Sequence, residues 1–153
     1  MKIIFVLFLF AFIKPSEDIY NPNNIYKAIM VDLRAKMPEG TPWDNSNFYE
    51  WKVKVNMGGT TYPSYGGYGC AGFAMMASDA AFGNILAIKF TDKSKIRVGD
   101  IIYDGGHFVI LVKLISGTKY EIAEGNYNKQ IHYGRKIDIN NFGFVYGFTR
   151  YPN

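Results

Sequence analysis

An α+β fold, with helices ahead of an antiparallel sheet, is what this sequence predicts. Two stretches in the first half carry apolar residues at helical spacing, and beyond residue 100 the chain turns to short segments rich in Val, Ile, Tyr and Phe. The "DGG" and "SGT" turns that join those segments suit neighbouring antiparallel strands. At 153 residues, 48% of them hydrophobic, the chain has material for one core, and a single domain is expected over residues 17–153.

The leader "MKIIFVLFLFAFIKPSED" has Lys2, an apolar run from Ile3 to Ile13, then Lys14 and Pro15. Eleven apolar residues match the core of a secretory signal and fall short of the roughly twenty that a spanning helix needs. Residues 1–16 are therefore read as a signal peptide for a secreted protein with no stable membrane span. Ser16 is the nearest small residue for cleavage, and an uncleaved anchor or a first strand is the alternative.

In "NPNNIYKAIMVDLRAKM", Asn23 or Asn24 offers an N-cap, and Ile25, Ala28, Ile29, Asp32 and Leu33 recur at helical spacing until Pro38 and Gly40. Residues 38–68 mix Pro, Gly, Asn and aromatics without a period, which predicts a long ordered loop with at most a short helix at Asn47–Trp51. A second helix follows in "GCAGFAMMASDAAFG", with Phe73, Met76, Ala77, Ala80 and Ala81 on one face and Gly83 as its stop. Strands are then expected in "IIY", "HFVILVKLI", "KYEIAEGNY", "IHYGRKIDI" and "FVYGFTRY".

The net charge of +4 is scattered rather than clustered, which argues against nucleic acid as the partner. One Cys and two His cannot assemble the usual Cys/His zinc site, so neither metal nor cofactor is expected. The lone Cys70 cannot form an internal disulfide and must be free, buried or reactive.

The hairpin between the second and third strands allows a register to be computed. With Ser116-Gly117 as a two-residue turn, opposed residues sum to 233, so Leu111 faces Ile122, Val109 faces Glu124 and His107 faces Asn126. His107, Val109, Glu124 and Asn126 then share one face of the sheet, with both polar side chains in reach of the imidazole. A helix packed across that face would bring Cys70, in its first turn, to the same imidazole. The positive helix end favours thiolate, and Cys, His and an orienting polar group together make an activated nucleophile. Glycines 66, 67 and 69 allow a close approach of substrate, and Trp43, Trp51, Tyr62, Tyr65 and Tyr68 could line a groove, with Tyr68 nearest the reacting carbonyl. His132 and Asp100 are read as structural, the latter fixing a turn. Asp79 is read as a hydrogen-bond or charge partner on its helix.

The segments "GGYGCAGFAMMASDAAFG", "IRVGDIIYDGGHFVILVK" and "YEIAEGNYNKQIHYGR" resemble the CHAP domains, cysteine- and histidine-dependent amidohydrolases and peptidases of the papain-like superfamily. The likeness spans about residues 35–150. It implies N-terminal helices against an antiparallel sheet, Cys70 as nucleophile, His107 as base, Glu124 as its orienter and Asn126 as the further polar member. Tyr68, Gly69 and Trp43 are the expected substrate contacts. The activity implied is hydrolysis of an amide bond in peptidoglycan or a peptide, by a monomer. Ala71 replaces the aromatic residue that often follows the cysteine in such enzymes, and "DGGHF" departs from the usual context of the histidine. Two further readings stand beside it: a catalytically silent binding module on the same fold, recognising cell-wall or surface ligands, and an acyl-transfer enzyme using the same machinery.

Overall fold

The computed structural model describes residues 18–153, and the leader expected over residues 1–16 lies outside them. It has an α+β architecture in which an N-terminal helix and a central helix pack against a mostly antiparallel eight-stranded sheet. Among the described residues no helix is long and apolar enough to cross a membrane.

The N-terminal helix starts as an α-helical turn at Pro22–Tyr26, winds as a π-helix through Lys27–Leu33 and closes with Arg34–Lys36. Its cap is Asn21 rather than Asn23 or Asn24. The Asn21 side chain accepts the Asn23 amide at 2.9 Å, and Pro22 supplies a preset φ at the first helical position. The π winding changes which residues meet. Lys27 and Asp32, five apart, form a surface ion pair at 3.1 Å, and Met30 joins Ile25, Ile29 and Leu33 in the core while Asp32 stays in solvent.

Residues 38–68 hold strands rather than the expected loop and short helix. β1 (Phe48–Trp51) pairs with β4 (Tyr65–Tyr68) in a separate two-stranded ribbon, while β2 (Val55–Met57) and β3 (Thr60–Tyr62) form a hairpin at one edge of the main sheet. Gly58 and Gly59, both with positive φ, make the two-residue turn of that hairpin.

The central helix, Gly69–Phe82, is followed by β5 (Ala87–Phe90), a strand the periodicity had not suggested. β2 and β5 are parallel because the helix lies between them as a crossover, the one departure from antiparallel pairing in the main sheet. The sheet continues through β10 (Tyr146–Thr149), β6 (Ile101–Tyr103), β7 (Phe108–Ser116), β8 (Lys119–Tyr127) and β9 (Gln130–Asp138), in that spatial order. The central helix touches β7 and β8 on one side, the β1–β4 ribbon on another and the N-terminal helix on a third. It is therefore buried around most of its girth: Gly72, Ala74, Met75 and Ser78 are enclosed along with Phe73 and Ala77, whereas Ala80 faces solvent. Gly83 ends it at φ 63°, as expected.

The β7–β8 turn is Gly117-Thr118, one residue later than expected, with Ser116 opposite Lys119. Two register shifts follow, so Lys113 faces Glu121 rather than Tyr120. By Leu111↔Ile122 and Ile110↔Ala123 the pairing has returned to the expected sum.

Asp79, on the central helix, collects Tyr49 Oη and Trp51 Nε1 at 2.8 Å each and Arg150 Nη1 at 3.0 Å. Arg150 is 1% exposed and also reaches Ser78 Oγ and the carbonyls of Ile85 and Gly83, so one buried guanidinium ties the chain's end to the helix. Asp100 accepts the Arg97 amide at 2.8 Å, closing the turn ahead of β6. Replacing Arg150 by Ala removes the counter-charge of Asp79 and the bonds to Ser78, Gly83 and Ile85, and should destabilise the protein by about 3 kcal/mol, measurable by urea unfolding.

Candidate active site

Three segments converge at the start of the central helix. Tyr68 leaves β4 in an extended conformation, and Gly69 turns the chain into the helix at φ +56°, a left-handed position suited to glycine. The segment before β1 grips this turn: Gly69 N donates to Asn47 O at 3.0 Å, and the Trp43 indole N–H donates to Gly69 O at 2.7 Å. A Cβ on Gly69 would overlap Asn45 Oδ1. Cys70 follows, half-buried and free, in the first turn of the helix.

His107 ends the "DGGH" turn, one residue ahead of β7. Asp104 Oδ1 accepts the amides of Gly106 and His107 at 2.9 and 2.7 Å, an Asx-type closure that fixes the backbone from which the ring projects. Glu124 comes from β8 and is 0% exposed. Gly125 beside it lets strand and helix approach, since a Cβ there would lie 2.8 Å from Trp43 Cδ1 and overlap Phe73 Cβ.

The structure brings Cys70, His107 and Glu124 together. His107 Nε2 lies 2.9 Å from Glu124 Oε1, which leaves Nδ1 as the nitrogen for the thiol. Cys70 lies against this imidazole and near the backbone amides of Phe108 and Ala71. Burial pushes the thiol up, but the His107 contact and those amides outweigh it and hold Cys70 below its ordinary value. His107 is raised to about 9, first by its contact with Cys70 and then by Glu124, against burial. Burial also raises Glu124, yet Arg135 and His107 hold its carboxyl below the usual range. Both shifts run toward the charged forms, thiol toward thiolate and ring toward imidazolium, and the two groups share coupled protonation steps.

The other expected residues lie around this cluster. Asn126 takes a left-handed backbone (φ 54°) and gives its amide to Asn45 Oδ1 at 3.0 Å, beside Gly69, rather than standing opposite His107 in a ladder. Tyr68 is 61% exposed and stacks against Phe48 with ring centroids 4.9 Å apart, forming an aromatic pair on the open side of the helix start. Trp43 is buried against Phe73, with its N–H committed to Gly69 O, so it braces the turn instead of lining a surface. Gly69 N is likewise committed, to Asn47 O. His132 sits on β9, bonded through Nδ1 to Glu39 and stacked on Tyr127, outside the cluster.

Two residues here were absent from the sequence reading. Asn45 bridges Asn126 to the helix start, with no signal beyond a loop asparagine. Arg135 grips Glu124 with two nitrogens, Nε to Oε2 and Nη2 to Oε1, both at 2.7 Å. Plain alternation along "IHYGRKI" misses it, since it groups Arg135 with Ile131 and Tyr133, whereas the bulge at Gly134 turns Arg135 to the face that carries Glu124.

Gly69→Ala forces a side chain into a left-handed position already filled by Asn45. It should cost about 1–3 kcal/mol in denaturant unfolding and slow alkylation of Cys70 by displacing the helix start. Comparison with protein-family models, with curated proteins and with solved structures gave no match to this chain.

Proposed function

We propose that this protein is a cysteine amidase or endopeptidase that hydrolyses an amide bond through Cys70, on a papain-like fold of the CHAP type. The observation that carries the reading is a half-buried thiol at a helix start, held against an imidazole whose far nitrogen is fixed by a fully buried carboxylate. That arrangement supplies a nucleophile, an acid–base group and an orienter within one contact chain. A passive buried cysteine needs none of these partners.

In the proposed cycle the Cys70 thiolate adds to the amide carbonyl carbon, and the carbonyl electron pair moves to oxygen. The orphan backbone amides of the helix start, that of Cys70 among them, are the donors this cycle assigns to that oxyanion. Imidazolium at His107 passes its proton to the leaving nitrogen as the C–N bond breaks, giving a thioester and an amine. Neutral His107 then takes a proton from water, the resulting hydroxide adds to the thioester, and the C–S bond breaks to release a carboxylic acid and restore the ion pair. Glu124 keeps the ring oriented and stabilises its charged form throughout.

Peptidoglycan is the substrate class this reading favours. The Phe48–Tyr68 pair, 53% and 61% exposed and with Tyr68 two residues from Cys70 in the chain, offers flat rings on which a sugar or peptide plane of a polymer lying across the surface can stack. The apolar leader fits an extracellular place of action. The same exposed aromatic pair is what a silent binding module would use, and thiol chemistry separates the two readings.

Incubation with purified peptidoglycan, followed by mass spectrometry, should release fragments with a new amine and a new carboxylate; an adduct with added amine would instead mark acyl transfer. Intact polymer after prolonged incubation, with Cys70 alkylated by iodoacetamide no faster than free cysteine at pH 7, would refute the enzyme. Cys70→Ala and His107→Ala should each abolish turnover, and the double variant should lose no more than either one. Turnover should fall as pH rises through about 9, where His107 gives up the proton it owes the leaving amine.

A further inference from the structure

We propose that Arg135 is a positioning residue of this site: its two-nitrogen grip keeps buried Glu124 as a carboxylate aimed at His107, and so sustains the Cys70–His107 pair as the pH falls. The inference rests on the proposed reading only in taking Cys70 and His107 as a working pair.

Glu124 has no contact with solvent, and its two oxygens are shared between two partners. Oε1 receives His107 Nε2 at 2.9 Å and Arg135 Nη2 at 2.7 Å, while Oε2 receives Arg135 Nε at 2.7 Å. Take the guanidinium away and Oε2 has no donor, while Oε1 keeps only a histidine that is itself titratable. A carboxylate so enclosed takes up a proton instead of remaining ionised. His107 then loses its counter-charge, and the thiolate facing it loses the imidazolium that sustains it.

Arg135 is delivered to this position by the backbone. It lies opposite Ile122, whereas Glu124 lies opposite His132, and the register shift between those pairs contains Gly134 at φ +93°. The bulge slants the arginine along the ladder onto the neighbouring carboxylate. The charged and titratable groups around the chain of contacts are few. Glu124 faces Arg135 and His107, His107 faces Cys70 and Glu124, and Arg135 faces Glu124, Tyr127 and Asp104. The Arg135 guanidinium also lies 5.4 Å from the Tyr127 ring centre, which limits its freedom to swing away. Arg135 has no hydrogen bond to Cys70 or His107 among the described residues; both it and His107 meet Glu124 Oε1, so the double variant below separates an effect passed through Glu124 from a direct effect of the guanidinium charge.

The test reads the thiol directly, by the rate of Cys70 alkylation with iodoacetamide from pH 4 to pH 9, in wild type, Arg135→Gln, Glu124→Gln and the double variant, each checked for folding by circular dichroism. Arg135→Gln should react about tenfold more slowly than wild type at pH 5 and within about threefold of it at pH 8, the mark of a carboxyl that now titrates in between. The double variant should match Glu124→Gln across the range, because without a carboxylate the arginine has nothing to hold. A folded Arg135→Gln with the wild-type profile overturns the proposal, as does a double variant slower than Glu124→Gln. Should Arg135→Gln fail to fold, the second comparison still decides, since the double variant buries no lone charge. Wild-type Cys70 reacting no faster than free cysteine at neutral pH is a different result: it removes the charged pair itself, and the proposed function with it.

Discussion

The contact on which this molecule turns is the close approach of the β8 backbone at Gly125 to the Phe73 and Trp43 side chains. The strand that carries Glu124 runs so close to the N-terminal part of the central helix that no side chain fits between it and Phe73 or Trp43. Hydrophobic packing drives the approach, with Phe73 buried between Trp43 and Tyr133. What that packing fixes is polar. A side chain at position 125 would separate helix from strand, and the carboxylate on one would no longer stand behind a ring that touches the thiol on the other.

Two buried charge clusters bracket the central helix, and they have opposite characters. At its C-terminal half, Asp79 and Arg150 gather tyrosine, tryptophan, serine and carbonyl partners, and every bond there is architectural. At its N-terminal end, Glu124 and Arg135 hold one side of a ring whose other side meets the half-buried Cys70. Both clusters offset the cost of desolvating charge with several short hydrogen bonds. Only the second ends on a thiol. That difference distinguishes a site from a brace more clearly than the presence of charge does.

The later half of the fold was legible because its strands alternate and its turns carry glycine: the segments read at "KYEIAEGNY" and "IHYGRKIDI" match β8 and nearly all of β9. The earlier half was not. β1 to β4 are three or four residues long and rich in Gly, Thr and Tyr, too short for alternation to register, although Gly58-Gly59 was a hairpin signal. The central helix misled a search for one stripe because three neighbours enclose it. Around the candidate site, the meeting of Cys70, His107 and Glu124 followed from alternation and helix placement. The position of Asn126 did not, since its left-handed backbone leaves the ladder, and Trp43 could be judged an aromatic but not a brace.

The expected register near the site was reached from a turn one residue out of place, because two irregularities lie between the hairpin tip and Leu111. Those irregularities act as slack in the ladder. Residues at the tip, where Gly117 has open space beside it, can gain or lose length while the paired rows deeper in the sheet keep their alignment. Evolutionary drift, or a grafted loop, would find its freest ground there, insulated from the chemistry by a stretch of strand that has already learned to absorb a miscount.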